Sequence, residues 1–316
     1  MLALGIDLGG TKTLAAVVSD RSEIMAQASE PTLAEEGGET VLKQIEKAGR
    51  SALLRAGLTP DQLSGVGLGT PGIVDPIQGL MLSEAVNIPE WKGRNLKADL
   101  ERIFQCPAFV ENDANAAALG EWRFGSATGA QSLLYITVGT GIGGGLIIEG
   151  RLVRGTSFAA GEIGHIPVEP EGPVCGCGRR GCLEALASGP AIAERAQEYL
   201  ARGVPSLLSE WGTSVSARAI ADAAEKGDLL SRHLLATAGK YLGIACAMVV
   251  NLLNPDRIAI GGGVAKAGRW LLEPAEWEMR RRALDEAGRA VHFGPSSLGD
   301  KAGVLGAAAL VFTRPD

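Results

Sequence analysis

The chain has 316 residues, 46% of them hydrophobic and 21% charged, with a formal net charge of −6. That length suits one large domain or two of ordinary size. The acidic balance argues against general affinity for nucleic acid or membrane surfaces, which requires a basic excess. The nearest basic run, Arg280 to Arg282, follows Glu273, Glu276 and Glu278 and reads as a solvated helix face.

Residues 2–8 read as a buried strand, ended by the turn Gly9-Gly10-Thr11-Lys12. Strand character resumes at Thr13, and a third strand is expected from Glu23. Strand, glycine turn, strand is the grammar of a β-hairpin. A P-loop or dinucleotide fold would place a helix after the glycines. Asp7 interrupts the N-terminal apolar run early, so no signal peptide is expected. Residues 38–57 carry a helical stripe (Val41, Ile45, Ala48, Ala52, Ala56) closed by Gly57. A strand from Val66 runs into Gly69-Thr-Pro-Gly72, a helix is expected over 95–104, and a strand over 108–111. Asn112-Asp113 then precedes an alanine-rich segment of high helix propensity.

Residues 132–138 read as another buried strand. Gly139-Thr-Gly-Ile-Gly-Gly-Gly145 is expected to turn it into a strand at Leu146. The opening pattern therefore recurs, which implies two related halves facing a shared cleft, with a boundary near residues 120–129. Helices are expected over 190–202, 215–226, 229–253, 274–287 and 302–312, and a short strand from Arg257 ends in Gly261-Gly262-Gly263. The apolar run 241–255 is shorter than the ~20 residues of a membrane span and contains Asn251 and Asn254, so it reads as a buried helix.

Three of the five cysteines fall in one cluster. It reads Gly161-Glu-Ile-Gly-His165, then nine residues, then Cys175-Gly-Cys177-Gly-Arg-Arg-Gly-Cys182-Leu-Glu184. Thiolates and imidazole are the donors Zn²⁺ prefers, and His165, Cys175, Cys177 and Cys182 supply the four ligands of a closed, structural site. A redox cysteine pair is the alternative, but it leaves the histidine unexplained. Glu162 and Glu184 bracket the cluster and are expected to face away from the thiolates. Cys106 and Cys246 read as buried thiols, a usage that fits a reducing cytoplasm.

Several residues have two readings. Gly139 to Gly144 matches G-x-G-x-x-G, but a strand follows it. It is either a tight hairpin or a turn whose N–H groups hold phosphate. Three such turns, each after a buried strand, favour a phosphate cleft. Asp7 is either a turn-forming residue or a carboxylate that holds Mg²⁺ through water. Lys12 is a phosphate contact or simply solvated. Asp113 is either the N-cap of the helix that follows or a catalytic carboxylate at a strand end, where open α/β sheets place ligands.

Together these motifs resemble the ROK family of repressors and sugar kinases, within the actin-like ATPase and hexokinase superfamily. The resemblance runs through Asp7-Leu-Gly-Gly-Thr-Lys, Gly69-Thr-Pro-Gly72, Glu111-Asn-Asp-Ala-Asn115, Val138 to Gly145, Gly161 to His165, Cys175 to Glu184 and Ile260-Gly-Gly-Gly. It implies an α/β protein of two ribonuclease H-like domains around a central cleft. The smaller domain would hold residues 1–122 and 299–316, closed by the C-terminal helix, and the larger 123–298. It implies ATP with its phosphates on Gly9, Gly10, Thr11, Lys12, Thr140 and Gly141 and its adenosine near Gly262 and Gly263. The sugar would be held by Asn112, Asp113, Glu162, His165 and Glu184, with Asp113 as general base.

The activity implied is ATP-dependent phosphorylation of a hexose at its 6-hydroxyl, glucose first. Other hexoses (N-acetylmannosamine, N-acetylglucosamine, mannose, fructose) or a sugar-sensing regulator are the alternatives. The first strand begins at residue 2, which leaves no DNA-binding segment ahead of it and disfavours the regulator. Mg²⁺ and structural Zn²⁺ are the expected metals, a homodimer or homotetramer the expected assembly, and the cytoplasm the expected location. Residues 87–91 and 155–160 are the loops expected to select the sugar.

Overall fold

The computed structural model describes residues 1–85, 88–211 and 215–313. Strands β1 (Leu2–Leu8), β2 (Lys12–Ser19) and β3 (Ile24–Pro31) form a meander, followed by α1 (Gly38–Ala56). Then come β4 (Gly65–Thr70), the short β5 (Val74–Asp75) and β6 (Leu80–Met81), α2 (Leu96–Phe104), β7 (Ala108–Asn112) and α3 (Asp113–Phe124). The second half begins with β8 (Leu133–Val138), β9 (Ile142–Ile148) and β10 (Arg151–Leu152). The helices α4 (Leu183–Ala187), α5 (Gly189–Ala201), α6 (Ala217–Glu225) and α7 (Leu229–Leu253) follow. The chain then makes β11 (Arg257–Gly261), α8 (Arg269–Arg282), α9 (Asp285–Ala290), β12 (His292–Pro295) and α10 (Ala302–Phe312).

The two halves repeat one topology. The first sheet has the order β3-β2-β1-β4-β7 and the second β10-β9-β8-β11-β12. In each, an antiparallel hairpin (β1–β2, β8–β9) opens the sheet, and a parallel strand pairs with its first member (β4, β11). This is the duplicated α/β architecture expected from the recurring strand, glycine turn and strand. The C-terminal ends of β1, β4, β7, β8 and β11 are where ligands bind in such sheets.

Small residues set how closely the layers approach. A Cβ on Gly306 of α10 would lie 1.9 Å from the Ala116 carbonyl oxygen of α3, and one on Gly67 of β4 would lie 1.7 Å from the Ala307 oxygen. Backbone therefore rests on backbone, and α10 lies flat on the first sheet and on α3. Glu121, fully buried in α3, fastens the chain where it passes between the halves. It accepts from Ser126 N (2.8 Å), Ser126 Oγ (2.9 Å) and Leu298 N (2.7 Å), and from the Ser296 hydroxyl.

Four sequence expectations are corrected. β9 begins at Ile142, so Gly143 to Gly145 lie inside the strand rather than in the turn. Side chains there would strike α3 and the following loop: a Cβ on Gly145 would sit 2.5 Å from Ala118 Cβ, and one on Gly144 2.5 Å from the Gly161 oxygen. The helix expected over 274–287 starts earlier, as α8, and holds Pro274 in its interior. Close crossing with α7 at Gly239 and Gly243 offsets the hydrogen bond the proline cannot make. The arginine run is not merely solvated, because Arg281 and Arg282 both pair with the buried Glu278. Cys246 is buried as expected, whereas Cys106 is only half-buried. Among the described residues α7 is the one helix long and apolar enough to cross a membrane, and 61% of its apolar window is buried within the fold.

Candidate active site

The sequence Glu111-Asn112-Asp113 straddles the junction of β7 and α3, and the structure separates the roles of the last two. Asn112 is the cap: its Oδ1 accepts from Ala114 N (2.9 Å) and Asn115 N (3.1 Å), and its Nδ2 donates to the Gly72 oxygen at 3.2 Å. The Asp113 carboxylate accepts from Ala114 N at 2.8 Å. Its charge is poorly compensated. Burial, then the neighbouring Asp7 carboxylate and more weakly Glu162, push Asp113 up to about 7 against two modest backbone hydrogen bonds. Burial alone pushes Asp7 up to about 6. A carboxyl group raised toward neutrality at the mouth of a cleft is the usual mark of an acid–base site.

Two cavities meet beside it. The first, about 560 Å³, is lined by Asn112, Asp113, Glu162, His165 and Glu184, with Gly72, Ile73, Ser83, Thr137 and the turn Gly139–Gly144. All five residues expected to hold the sugar are therefore in one place, contributed by both sheets. The second, about 870 Å³, is lined by Gly139, Thr140, Gly189, Pro190, Val215, Arg218, Asp222, Gly263 and Lys266, all from the second half. The cavities share Gly139 and Thr140. The N-terminal end of α5, capped by Ser188 with Pro190 in its first turn, abuts that junction through Gly189 N donating to the Gly139 oxygen at 2.8 Å. A helix N-terminus carries partial positive charge and suits an anion there.

The remaining expected ligands fall differently. Gly9, Gly10, Thr11 and Lys12 form the expected tight turn, with Gly9 N donating to the Lys12 oxygen at 3.1 Å, but line neither cavity. Thr140, Gly141 and Gly263 do line them. Gly262, at φ +86°, instead packs against the Val138 backbone. Asp7 turns its carboxylate toward Gly303 at the start of α10. Of the two loops expected to select the sugar, Asn87 lies outside the described residues, and Trp91 is buried with its Nε1 donating to Thr70 Oγ1 at 3.0 Å. Phe158 of the second loop lines a different cavity. Ile73 and Ser83 occupy the sugar-sized cavity instead. The sequence carried no sign of them, whereas Ser188-Gly189-Pro190, a helix start, was a readable pointer to the anion end.

The cysteine cluster closes as predicted. The ligand atoms of His165, Cys175, Cys177 and Cys182 all lie within 4.8 Å of one another. Cys175 Sγ is 3.7 Å from His165 Nδ1, and Cys177 Sγ is 3.7 Å from Cys182 Sγ. Zn–S bonds of about 2.3 Å in a tetrahedron give edges of about 3.8 Å, so the donor set fits that ion in type and spacing. Burial raises Cys175 and pushes Cys182 up to about 12, so these sulfurs ionise readily only beside a cation. One expectation about the bracketing carboxylates is corrected. Glu184 does not turn wholly away: Oε2 accepts from Ile142 N at 2.8 Å on the glycine turn, while Oε1 lies 3.9 Å from Cys175 Sγ. It touches both the cluster and the cavity because α4 starts directly after Cys182.

Comparison with known proteins agrees with this architecture. The chain is 38% identical over 312 residues to a glucokinase of Halalkalibacterium halodurans, covering 98% of this chain and 94% of that protein. It is 30% identical to a xylose repressor of Caldicellulosiruptor bescii, covering 98% of this chain and 78% of the repressor. Its fold matches the crystal structure of a ROK family glucokinase from Streptomyces griseus in complex with glucose and AMPPNP. The TM-score is 0.85 at 36% identity, over 98% of this chain and 99% of that one. The model of the ROK family spans residues 3–314, and the chain belongs to that family.

Proposed function

We propose that the protein is an ATP-dependent hexose kinase that converts glucose to glucose 6-phosphate. The observation that carries this reading is the meeting of two cavities at Gly139–Thr140, with Asp113 lining the smaller one. In the Streptomyces griseus relative, glucose and a nucleotide analogue are bound together. The larger cavity takes the nucleotide. Its phosphates run past Thr140, Gly141 and the α5 N-terminus toward the sugar, and its adenosine lies by Gly263, next to Gly262. Gly9 to Lys12 reach the phosphates only if the cleft closes. Such closure would also exclude water as a competing acceptor.

Asn112, Glu162, His165 and Glu184 orient the sugar hydroxyls, and Asp113 receives the proton of the 6-hydroxyl as its oxygen attacks the γ-phosphorus. The transition state of phosphoryl transfer is loose, so the proton leaves late and a strong base is unnecessary. A carboxylate near 7 nonetheless suits the task better than an ordinary aspartate. Such assistance contributes about 100- to 10,000-fold, or roughly 3–5 kcal/mol of barrier. Mg²⁺, held near Asp7 through water, would supply charge neutralisation for the phosphates. The mutual repulsion of Asp7 and Asp113 fits a cation nearby. Zn²⁺ on His165, Cys175, Cys177 and Cys182 would supply shape alone. Its four ligands leave no position for water, and His165 and Glu184 would hold the sugar wall in place.

The same reading assigns residues 1–122 with 299–316 to the smaller domain and 123–298 to the larger. It also places the enzyme in the cytoplasm as a homodimer or homotetramer. Exposed Trp277 (60%), Leu284 (68%) and Leu252 (79%) on the helical face support association. A coupled ADP-release assay across a hexose panel, with polyphosphate as an alternative donor, tests the proposal. Turnover with glucose and ATP is expected, and no turnover with any hexose would overturn it.

A further inference from the structure

Glu111 is 2% exposed, and every oxygen it carries is committed. Oε1 accepts from its neighbour Asn112 N at 3.0 Å and from Asn115 Nδ2 at 3.2 Å. Oε2 pairs with Arg154 Nε at 2.7 Å. Arg154 belongs to the second half of the chain, in the loop that follows β10. This is therefore an ion pair across the seam, and its carboxylate sits two residues from Asp113. A buried carboxylate left without its partner is strongly unfavourable, so the pair holds the two sides in one register.

Arg154 also governs the far side of the sugar cavity. Its carbonyl accepts from Ala160 N at 3.0 Å and closes the loop 154–160. Two residues later comes Glu162. Within that loop Phe158 is held at φ +59°, a strained conformation for an aromatic residue that persists only where its surroundings impose it. Phe158 and Arg154 line a cavity of about 430 Å³ together with Phe109 and Val110 of β7, so the loop borders the strand that leads to Asp113 and touches it through the Arg154–Glu111 pair. At its end Gly161, φ +89°, rests against the Gly144 backbone. One arginine thus grips the Asp113 wall with its side chain and the Glu162 wall with its carbonyl.

We propose that Arg154, paired with Glu111, is a positioning residue that sets the spacing between Asn112–Asp113 and Glu162, and with it the fit of the sugar. The inference rests on the assignment of that cavity to the sugar. It separates from general damage because the described lining of the nucleotide cavity comes from the second half of the chain and includes neither Glu111 nor Arg154.

The test uses the full-length protein and the variants Arg154→Met, Arg154→Lys, Glu111→Gln and the Arg154→Met/Glu111→Gln double. In steady-state kinetics with glucose and ATP, Arg154→Met should lower kcat/KM for glucose by about 10- to 100-fold, the scale of a misplacement near 1 Å. KM for ATP should stay within about twofold. Arg154→Lys, which keeps the charge but loses the fork, should recover part of the loss. The double variant should be no worse than Arg154→Met alone, because the two changes remove one interaction. Should Arg154→Met fail to fold, Arg154→Lys and Glu111→Gln carry the same comparison.

Wild-type glucose kinetics in Arg154→Met, or equal losses for glucose and ATP, would overturn the proposal. Amide hydrogen exchange on the ligand-free protein provides the arm independent of catalysis. Faster exchange at 155–162 and 112–115 in Arg154→Met is expected, and unchanged exchange there would overturn the proposal. If the wild-type protein phosphorylates no hexose, the kinase reading fails, and the exchange arm still decides whether Arg154 couples the two walls.

Discussion

Replacing Asp113 by Asn should disable the enzyme and stabilise the protein. The wild-type carboxyl is displaced from 3.8 to about 7, which corresponds to about 4 kcal/mol of penalty for the ionised form in the folded state. Asp113 faces an open cleft, and solvent screening reduces the expected gain to about 1–3 kcal/mol. Asn keeps an oxygen for the Ala114 N–H and carries no charge toward Asp7. A carboxyl raised in the folded state loses stability as pH rises. The penalty is absent below 3.8, develops between about 4 and 7, and is complete above 7. Thermal unfolding of the ligand-free proteins should therefore show Asp113→Asn melting about 2–6 °C higher at pH 8 and nearly level with wild type at pH 4. In the coupled ADP assay the same variant should lose about 100- to 10,000-fold in kcat. More than about a tenth of wild-type kcat, or a lower melting point at pH 8, would refute the assignment of Asp113 as a strained general base.

The wild-type kcat/KM for the sugar should fall as pH drops below the Asp113 transition near 7, by about tenfold per unit at the limit. A flat profile down to pH 5 would contradict it. Cys177→Ser should bind no zinc by elemental analysis and raise the sugar KM, since site energies of ~10–16 kcal/mol rival a domain's stability. A zinc-free variant with wild-type KM would show that the cluster does not shape the pocket. Asn112→Ala removes the α3 cap and should cost about 1–2 kcal/mol in denaturant unfolding, so an unchanged midpoint would be inconsistent with the cap. Gly144→Ala drives a Cβ toward the Gly161 oxygen and should cost about 1–3 kcal/mol while raising the sugar KM more than the ATP KM. Equal effects on both would argue against a sugar-side location for that contact.

Local chemistry was legible in the sequence. The stripe of α1 and its Gly57 end, the boundaries of α7 and α10, and the first hairpin appear where periodicity and turn residues place them. Each depends on neighbours a few residues apart. The clustering of His165 with Cys175, Cys177 and Cys182 was legible for the same reason, because the three cysteines share one short loop. Errors arose where distant segments decide. Pro274 has the signature of a helix start, but α8 runs through it where α7 crosses closely at Gly239. Gly143 to Gly145 have the composition of a turn, but they lie in β9, with α3 against Gly143 and Gly145 and the Gly161 backbone against Gly144. Gly9 to Lys12 form the expected tight turn but line neither cavity, so their part in the site depends on how the two sheets face one another.

The sequence by itself determined the element types, the duplicated plan and the clustering of one histidine with three cysteines. These follow from backbone conformational preferences and ligand chemistry, which act over a few residues. Only the tertiary structure decided that Asn112 caps α3, and that burial, followed by Asp7 and more weakly Glu162, raises Asp113. It alone joined the two cavities at Thr140 and brought Arg154 to Glu111. Electrostatic energy and hydrogen bonding depend on separation in space, and residues 43 apart in the chain become neighbours only when the sheets are in place.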